Sequence, residues 1–199
     1  GKGRRILPVV VAALRHAGAP FSVWPTLGPG DAQFLAAQAV RDGARLVLAV
    51  GGDGTLSEVA NGVLDAEGGN TTAIGVVHAG RGGDVARALG LPPDPAAAIA
   101  RIVGAAPRPW DAGLATFAGG VSRAFVNHAG AGLDAIVAGA AARSRWPGVH
   151  LPYLAALLPA LRQPAPLVTV ATDAGVWEGR FRLCLVANGP TTAGGVPLA

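Results

Sequence analysis

One junction constrains the fold of this chain more than any other stretch. The apolar run Leu46-Val-Leu-Ala-Val50 stops at Gly51-Gly52-Asp53-Gly54-Thr55, and Leu56 to Leu64 then follow at helical spacing. A short apolar run without polar alternation reads as a strand buried on both faces. Such a strand needs helices above and below it, so the junction implies a parallel-sheet α/β architecture. The same grammar recurs along the first half. Ile6, Val10, Ala13, Leu14 and Ala17 mark a helix over Arg4 to Ala17, stopped by Gly18, with Pro8 in its first turns, where proline is tolerated best. Phe21 to Trp24 reads as a short strand. Asp31 is expected to cap a helix through about Arg41 that ends at Gly43. Ala73 to Val77 is a second buried strand, Asp84 to Leu89 a helix ending at Gly90, and Asp94 with Pro95 opens a helix that runs to Val103.

Beyond Pro107 the pattern changes. Gly113 to Thr116 and Arg123 to Asn127 read as short strands around Gly119-Gly120. Residues 134–162 are Ala-rich and helical with interruptions, and Leu167 to Ala171 with Val176 to Ala187 alternate as a hairpin about Asp173-Ala174-Gly175. The chain thus divides into an α/β part over 1–110 and a β-rich part over 111–199. It opens in a helix where a parallel unit normally opens with a strand, and it stops soon after a hairpin. Both ends are therefore expected to be cut, the first strand missing and the second domain incomplete.

Composition narrows the function. With 199 residues, 51% of them hydrophobic and 14% charged, the chain can bury a core and is not a disordered segment. The formal charge of +4 is carried almost wholly by arginines scattered along the sequence, Lys2 being the only lysine. Without a basic run or aromatic interleaving this argues against nucleic acid, and it suits an anionic ligand or an anionic membrane surface. The lone Cys184 excludes an internal disulfide and a cysteine-based metal site, and it fits a reducing compartment. No apolar stretch is long enough to span a bilayer; Pro152 to Leu161 is short and is broken by Pro159.

Strand, glycine turn and helix N-terminus together form a cradle for phosphate. Glycines let the backbone come close, and the first N–H groups of the helix and its dipole favour an anion. Asp53 adds something a plain anion nest lacks, since a carboxylate beside phosphates requires a cation between them or a proton to move. The junction is therefore read as a Mg²⁺–nucleotide site. The plainer alternative is a tight strand-to-helix turn with Asp53 or Thr55 as helix cap. A second loop of the same kind runs through Val77-His78-Ala79-Gly80-Arg81-Gly82-Gly83-Asp84. Loops at the C-terminal ends of parallel strands share one sheet edge, so this loop is expected to face the first. Arg81 could then pair with a phosphate, and Asp84 would either cap its helix or join Asp53 and Asp111 around hydrated Mg²⁺. His78 could line the same cleft; His16 and His150 read as surface residues, and His128 as a satisfied polar side chain. Ser57 and Ser144 lack a nucleophile-elbow context.

The stretch Gly51-Gly-Asp-Gly-Thr-Leu-Ser-Glu-Val-Ala-Asn-Gly62 resembles the signature of diacylglycerol-kinase-type lipid kinases, which include sphingosine and ceramide kinases and the bacterial YegS-like enzymes. Thr26 followed by Gly30-Asp31-Ala32, the Gly80 to Arg87 loop, Asp111-x-Gly113, Asn127-x-Ala-Gly-x-Gly-x-Asp134, Glu178-Gly179, Asn188-Gly189 and Gly194-Gly195-Val-Pro-Leu-Ala199 continue the family order. Arg81 stands where the family often has Thr, and Gly83 where it usually has Asn. The resemblance implies a three-layer parallel-sheet nucleotide-binding domain followed by the start of a β-sandwich-like lipid-binding domain, and ATP-dependent phosphorylation of a lipid hydroxyl, such as that of diacylglycerol or a sphingoid base, in phospholipid metabolism. It implies ATP contacts from Thr26, Gly51, Gly52, Asp53, Gly54, Thr55, Leu56, Ser57, Gly80 and Arg81. Asp53, Asp84 and Asp111 would organise Mg²⁺ through water. Asp53 would take a supporting catalytic role, the general base being expected beyond residue 199, so that this chain alone would lack it. The apolar region 134–162, with Trp146 and Tyr153, would give acyl-chain access or merely pack as core. A cytoplasmic protein in peripheral contact with the membrane is implied, with homodimerisation left open. An NAD-kinase-like enzyme of a soluble metabolite, or a non-catalytic nucleotide- or lipid-binding relative, is the alternative.

Overall fold

The computed structural model describes residues 2–80, 82–143, 155, 157, 159–162 and 164–198, the side chains of Asp134 and residues 141–143 excepted. Arg81, Trp146, His150 and Tyr153, and with them the expected helical stretch between Ser144 and Tyr153, lie outside the described residues. The chain divides into two compact units, residues 1–127 with 188–199, and residues 128–187.

In the first unit α1 (Lys2–His16) and α2 (Asp31–Arg41) precede β1 (Leu46–Gly51), which leads into α3 (Asp53–Asp65). Strand β2 (Ala73–His78), α4 (Asp84–Ala88) and α5 (Pro95–Val103) follow. β1 and β2 pair in parallel, Leu46 opposite Ala73 through Gly51 opposite His78. Residues paired across a parallel ladder share a face, and successive residues alternate faces. Accordingly Ala49 and Val76, with Val47 and Ile74 beside them, pack with Ala32, Ala36 and Val40 of α2, Leu56, Val59 and Val63 of α3, and Val85 and Ala86 of α4. Val77, with Leu48 and Val50, packs instead with Val10 and Leu14 of α1 and Ile99 of α5. The apolar run of each strand thus serves two clusters, which is why neither strand alternates with polar residues. Each fully buried side chain, such as Ile99, Val10 and Val77, contributes about 1.5–3 kcal/mol of transfer free energy.

Helix ends follow the sequence in one case and depart from it in others. Asp94 caps α5 as expected, its Oδ2 accepting from the Ala97 amide at 2.8 Å, with Pro95 next. Asp31 does not cap α2. Gly30 holds that place in the left-handed region (φ 89°), and Asp31 turns its carboxylate back to accept from the Leu27 and Gly28 amides at 2.6 and 2.9 Å. α3 starts earlier than its apolar spacing suggests, at Asp53 inside the glycine turn. Phe21 to Trp24 forms no strand; these residues are exposed and make no ladder with any described strand.

The hairpin β3 (Gly113–Thr116) and β4 (Ser122–Phe125) pairs antiparallel and belongs to the first unit. The end of α/β alternation near residue 110 is therefore not where compact packing divides. In the second unit β5 (His128–Gly132) leads into α6 (Leu133–Arg143), and β6 (Leu167–Thr172) forms the expected hairpin with β7 (Gly175–Arg180). The strand expected to run from Val176 to Ala187 is broken at Phe181-Arg182: β8 (Leu183–Ala187) pairs with β5, not with the hairpin. The chain then returns to the first unit through β9 (Thr191–Thr192) and β10 (Val196–Pro197), an antiparallel pair.

Candidate phosphate and nucleotide site

The parallel pairing of β1 and β2 brings the two glycine loops side by side. The Ala79 amide donates to the Gly51 carbonyl at 2.7 Å, extending the ladder by one bond. Beyond it the loops touch backbone to backbone, and a Cβ added to Gly80 would stand 2.6 Å from the Gly52 Cα. At Gly51 the position is filled from the other side: a Cβ there would lie 2.5 Å from Thr55 Oγ1. Both glycines are therefore dictated by close approach within the chain. Gly54 is not, for a Cβ at this position meets nothing within 4 Å among the described residues.

α3 opens with Gly52 extended at its N-terminus and, among the described residues, no side chain capping it. The first amide to bond back along the helix is that of Leu56, to the Gly52 carbonyl at 3.1 Å. The amides of Asp53, Gly54 and Thr55 precede it and lack intrahelical acceptors, at the positive end of the helix dipole. Asp53, Gly54 and Ser57 are exposed around this end, Leu56 is in the core, and Thr55 is half-buried against Gly51. Asp53 does not cap its own helix; it reaches across to the second loop, where the Gly83 amide donates to Oδ2 at 3.0 Å and to Oδ1 at 3.2 Å. The two loops therefore face each other as their topology requires.

Gly83 sits at φ 79°, in the left-handed region, and leads into α4. A Cβ there would also fall 2.8 Å from His78 Cδ2, so the His78 ring occupies the space that a side chain at position 83 would need. His78 thus packs beneath the second loop. Asp84 is 5% exposed, and both of its oxygens have protein donors. Oδ1 accepts from Arg87 Nη1 at 2.9 Å and from the Thr191 hydroxyl at 3.0 Å, and Oδ2 accepts from the Gly194 amide at 3.0 Å. Asp53 and Asp84 still flank one spot, since a Cβ on Gly82 would lie 2.5 Å from Asp53 Oδ2 and 3.5 Å from Asp84 Oδ2. Asp111 does not complete a triad with them: among the described residues no three His, Cys, Asp or Glu side chains gather where they could hold a metal ion. Asp111 is exposed, and its carbonyl accepts from Asn188 Nδ2 at 2.6 Å.

Thr26 is exposed in an irregular segment, next to the turn that the Asp31 carboxylate closes. The remainder of the glycine signature is structural in ways its spacing did not announce. Glu58 accepts from the Ala32 amide at 3.1 Å and so satisfies the first turn of α2. Asn61 is 4% exposed; it donates to the Ser57 and Ala124 carbonyls at 2.8 and 2.9 Å and accepts from the Ala124 amide at 2.9 Å. It therefore stands in for a strand partner of β4. A Cβ at Gly62 would lie 2.1 Å from the Gln33 carbonyl oxygen, so this glycine sets the contact between α2 and α3. The later motifs form a hydrogen-bonded knot where the chain leaves and re-enters the first unit. Trp110 Nε1 donates to the Val126 carbonyl at 2.8 Å, Asn188 Nδ2 to the same carbonyl at 3.0 Å, and Asn127 Nδ2 to the Thr191 carbonyl at 3.1 Å. A buried polar residue on an apolar helix face was the available signal for Asn61; the partners of Asn188 and Thr191 had none.

These features coincide with what the chain is similar to. Residues 1–115 match the family described as diacylglycerol kinase catalytic domain. A diacylglycerol kinase of Staphylococcus epidermidis is 42% identical over 100 residues, covering 50% of this chain and 31% of that protein. A diacylglycerol kinase of Mycobacterium tuberculosis is 33% identical over 158 residues, 79% of this chain and 50% of the relative. A Pseudomonas aeruginosa protein named "Probable lipid kinase YegS-like" is 30% identical over 204 residues, 97% of this chain and 62% of the relative. The chain thus spans between about a third and two thirds of the length of these relatives. A crystal structure of a diacylglycerol kinase from Bacillus anthracis shares the fold, with a TM-score of 0.70 at 24% identity over 98% of this chain and 62% of that one. On the match over more than half its length, this chain belongs to the diacylglycerol kinase catalytic-domain family.

Proposed function

We propose that this chain is the nucleotide-binding portion of an ATP-dependent lipid kinase. The observation that carries the reading is the N-terminus of α3, capped by no side chain among the described residues, beside Gly54, a glycine that no described residue explains. A helix N-terminus with free amides is an anion site, and a glycine with empty space above it leaves room for phosphate to reach those amides. In this reading the phosphates rest on Gly51 to Ser57, with Gly80 walling the opposite side. Asp53 suits a hard cation because it is exposed and its donor among the described residues is the Gly83 amide. Mg²⁺ favours such a site, with few carboxylates and the rest of its shell water and phosphate. Asp53 would hold it through water; when bound, the ion supplies charge neutralisation for the transferring phosphoryl group. Asp84, with both oxygens taken, serves this arrangement from behind.

The acceptor is a lipid hydroxyl. The named relatives support it, as does the excess of arginine for work at an anionic membrane surface. No helix among the described residues is long and apolar enough to cross a membrane, and contact with lipid is proposed to be peripheral.

The test is transfer of labelled γ-phosphate from Mg²⁺–ATP to mixed lipids plus NAD, by the protein that contains this chain, followed by organic–aqueous partition. Label in the organic phase is expected. Label confined to the aqueous phase would point instead to a soluble-metabolite kinase, and absence of transfer with retained ATP binding to a binding-only relative.

A further inference from the structure

Asp84, expected from the sequence either to cap its helix or to join Asp53 and Asp111 around Mg²⁺, has protein donors on both carboxylate oxygens. It is 5% exposed and takes Arg87 and Thr191 on one oxygen and the Gly194 amide on the other. Thr191 and Gly194 come from the return segment, far along the chain but in the same compact unit. Arg87 Nη2 also reaches the Gly82 carbonyl at 3.3 Å, and the guanidinium lies against Gly195, whose added Cβ would be 3.3 Å from Arg87 Cζ. Gly83, immediately before Asp84, gives its amide to Asp53. One carboxylate therefore joins the return segment to the turn that orients Asp53.

We propose that Asp84 is a positioning residue for the Asp53 site: through it residues 191–194 hold the Gly82–Gly83 turn against the Asp53 carboxylate. A buried carboxylate sharing several donors is costly to disturb, because removing one acceptor leaves a buried donor unsatisfied. The return segment is thereby made part of the phosphate site without touching phosphate. This rests on the nucleotide-site reading for its functional consequence but not for its structural one, and the experiment separates the two.

Amide hydrogen exchange of Gly83 and Gly194 is compared by NMR in the wild-type protein that contains this chain and in its Thr191→Val, Thr191→Ser and Asp84→Asn variants. Thr191→Val keeps the shape of the side chain and removes only the hydroxyl. Exchange at both glycines should rise roughly tenfold, the loss of one hydrogen bond to a carboxylate, and Thr191→Ser should restore it. Asp84→Asn should raise both as well, because the amide keeps one acceptor oxygen, which the Arg87 cation and Thr191 hold, and the nitrogen left toward Gly194 cannot accept. A rise at Gly194 with Gly83 unchanged in Thr191→Val and Asp84→Asn would overturn the proposal, since the two ends would then move independently. In the protein that transfers phosphate, Thr191→Val should raise KM for ATP several-fold with kcat little changed, again rescued by Thr191→Ser. Equal KM with altered Mg²⁺ dependence in Asp84→Asn would assign Asp84 to the metal and refute the positioning role. Failure of all phosphate transfer would defeat the kinase reading alone, the exchange result standing on its own.

Discussion

At the scale of single residues, the glycine signature separates into positions fixed by the chain and positions left for a ligand. Gly51, Gly80 and Gly62 are crowded by Thr55, Gly52 and Gln33 respectively. Gly83 combines a left-handed backbone with the His78 ring in its side-chain space. Substituting Gly62 by Ala should cost at least about 1–3 kcal/mol by overpacking the contact between α2 and α3, read as a lowered denaturant midpoint. Asp53 belongs to the other class. It is exposed and its bond within the chain is to the Gly83 amide. Asp53→Ala should therefore leave the thermal midpoint nearly unchanged while abolishing phosphate transfer; preserved turnover in that variant would remove Asp53 from the site.

At the scale of elements, what could be read from the sequence was what depends on local pattern. The strands Leu46–Gly51 and Ala73–His78 declared themselves because both faces of each are buried, and α5 because Asp94 and Pro95 meet the needs of a first turn. Asp94→Ala should accordingly lower stability by about 1 kcal/mol. What depends on partners far along the chain was not legible. Asp31 resembles a cap, but a glycine with positive φ precedes it and two amides of the preceding turn compete for its carboxylate. The strand expected over Val176–Ala187 breaks because its second half finds β5, a pairing no local window contains. Asn61 is the clearest case of this kind. Its amide serves the edge of β4, so Asn61→Ala should strand the Ala124 amide and carbonyl and cost about 2–4 kcal/mol in urea unfolding. At the site, the facing of the two loops followed from topology, whereas two of the three donors to Asp84, Thr191 and Gly194, lie in a segment over a hundred residues away.

At the scale of the whole molecule, the first unit is a two-strand parallel sheet with helices packed on both faces, joined by residues 188–199, which follow the second unit in sequence. The chain belongs to the diacylglycerol kinase catalytic-domain family, and the role proposed for it is to hold the phosphate donor. The central claim is that Mg²⁺–ATP rests on the N-terminus of α3, and Gly54 offers the most direct test. A Cβ there meets open space among the described residues, and in a helix any ordinary residue is favoured over glycine by up to about 1 kcal/mol. Calorimetric titration of Mg²⁺–ATP into wild type and Gly54→Leu, with thermal midpoints measured alongside, sets binding against stability at one position. The account predicts a midpoint equal to or above wild type together with loss of nucleotide affinity by at least a factor of ten. Wild-type affinity in Gly54→Leu would contradict it and place the phosphates elsewhere.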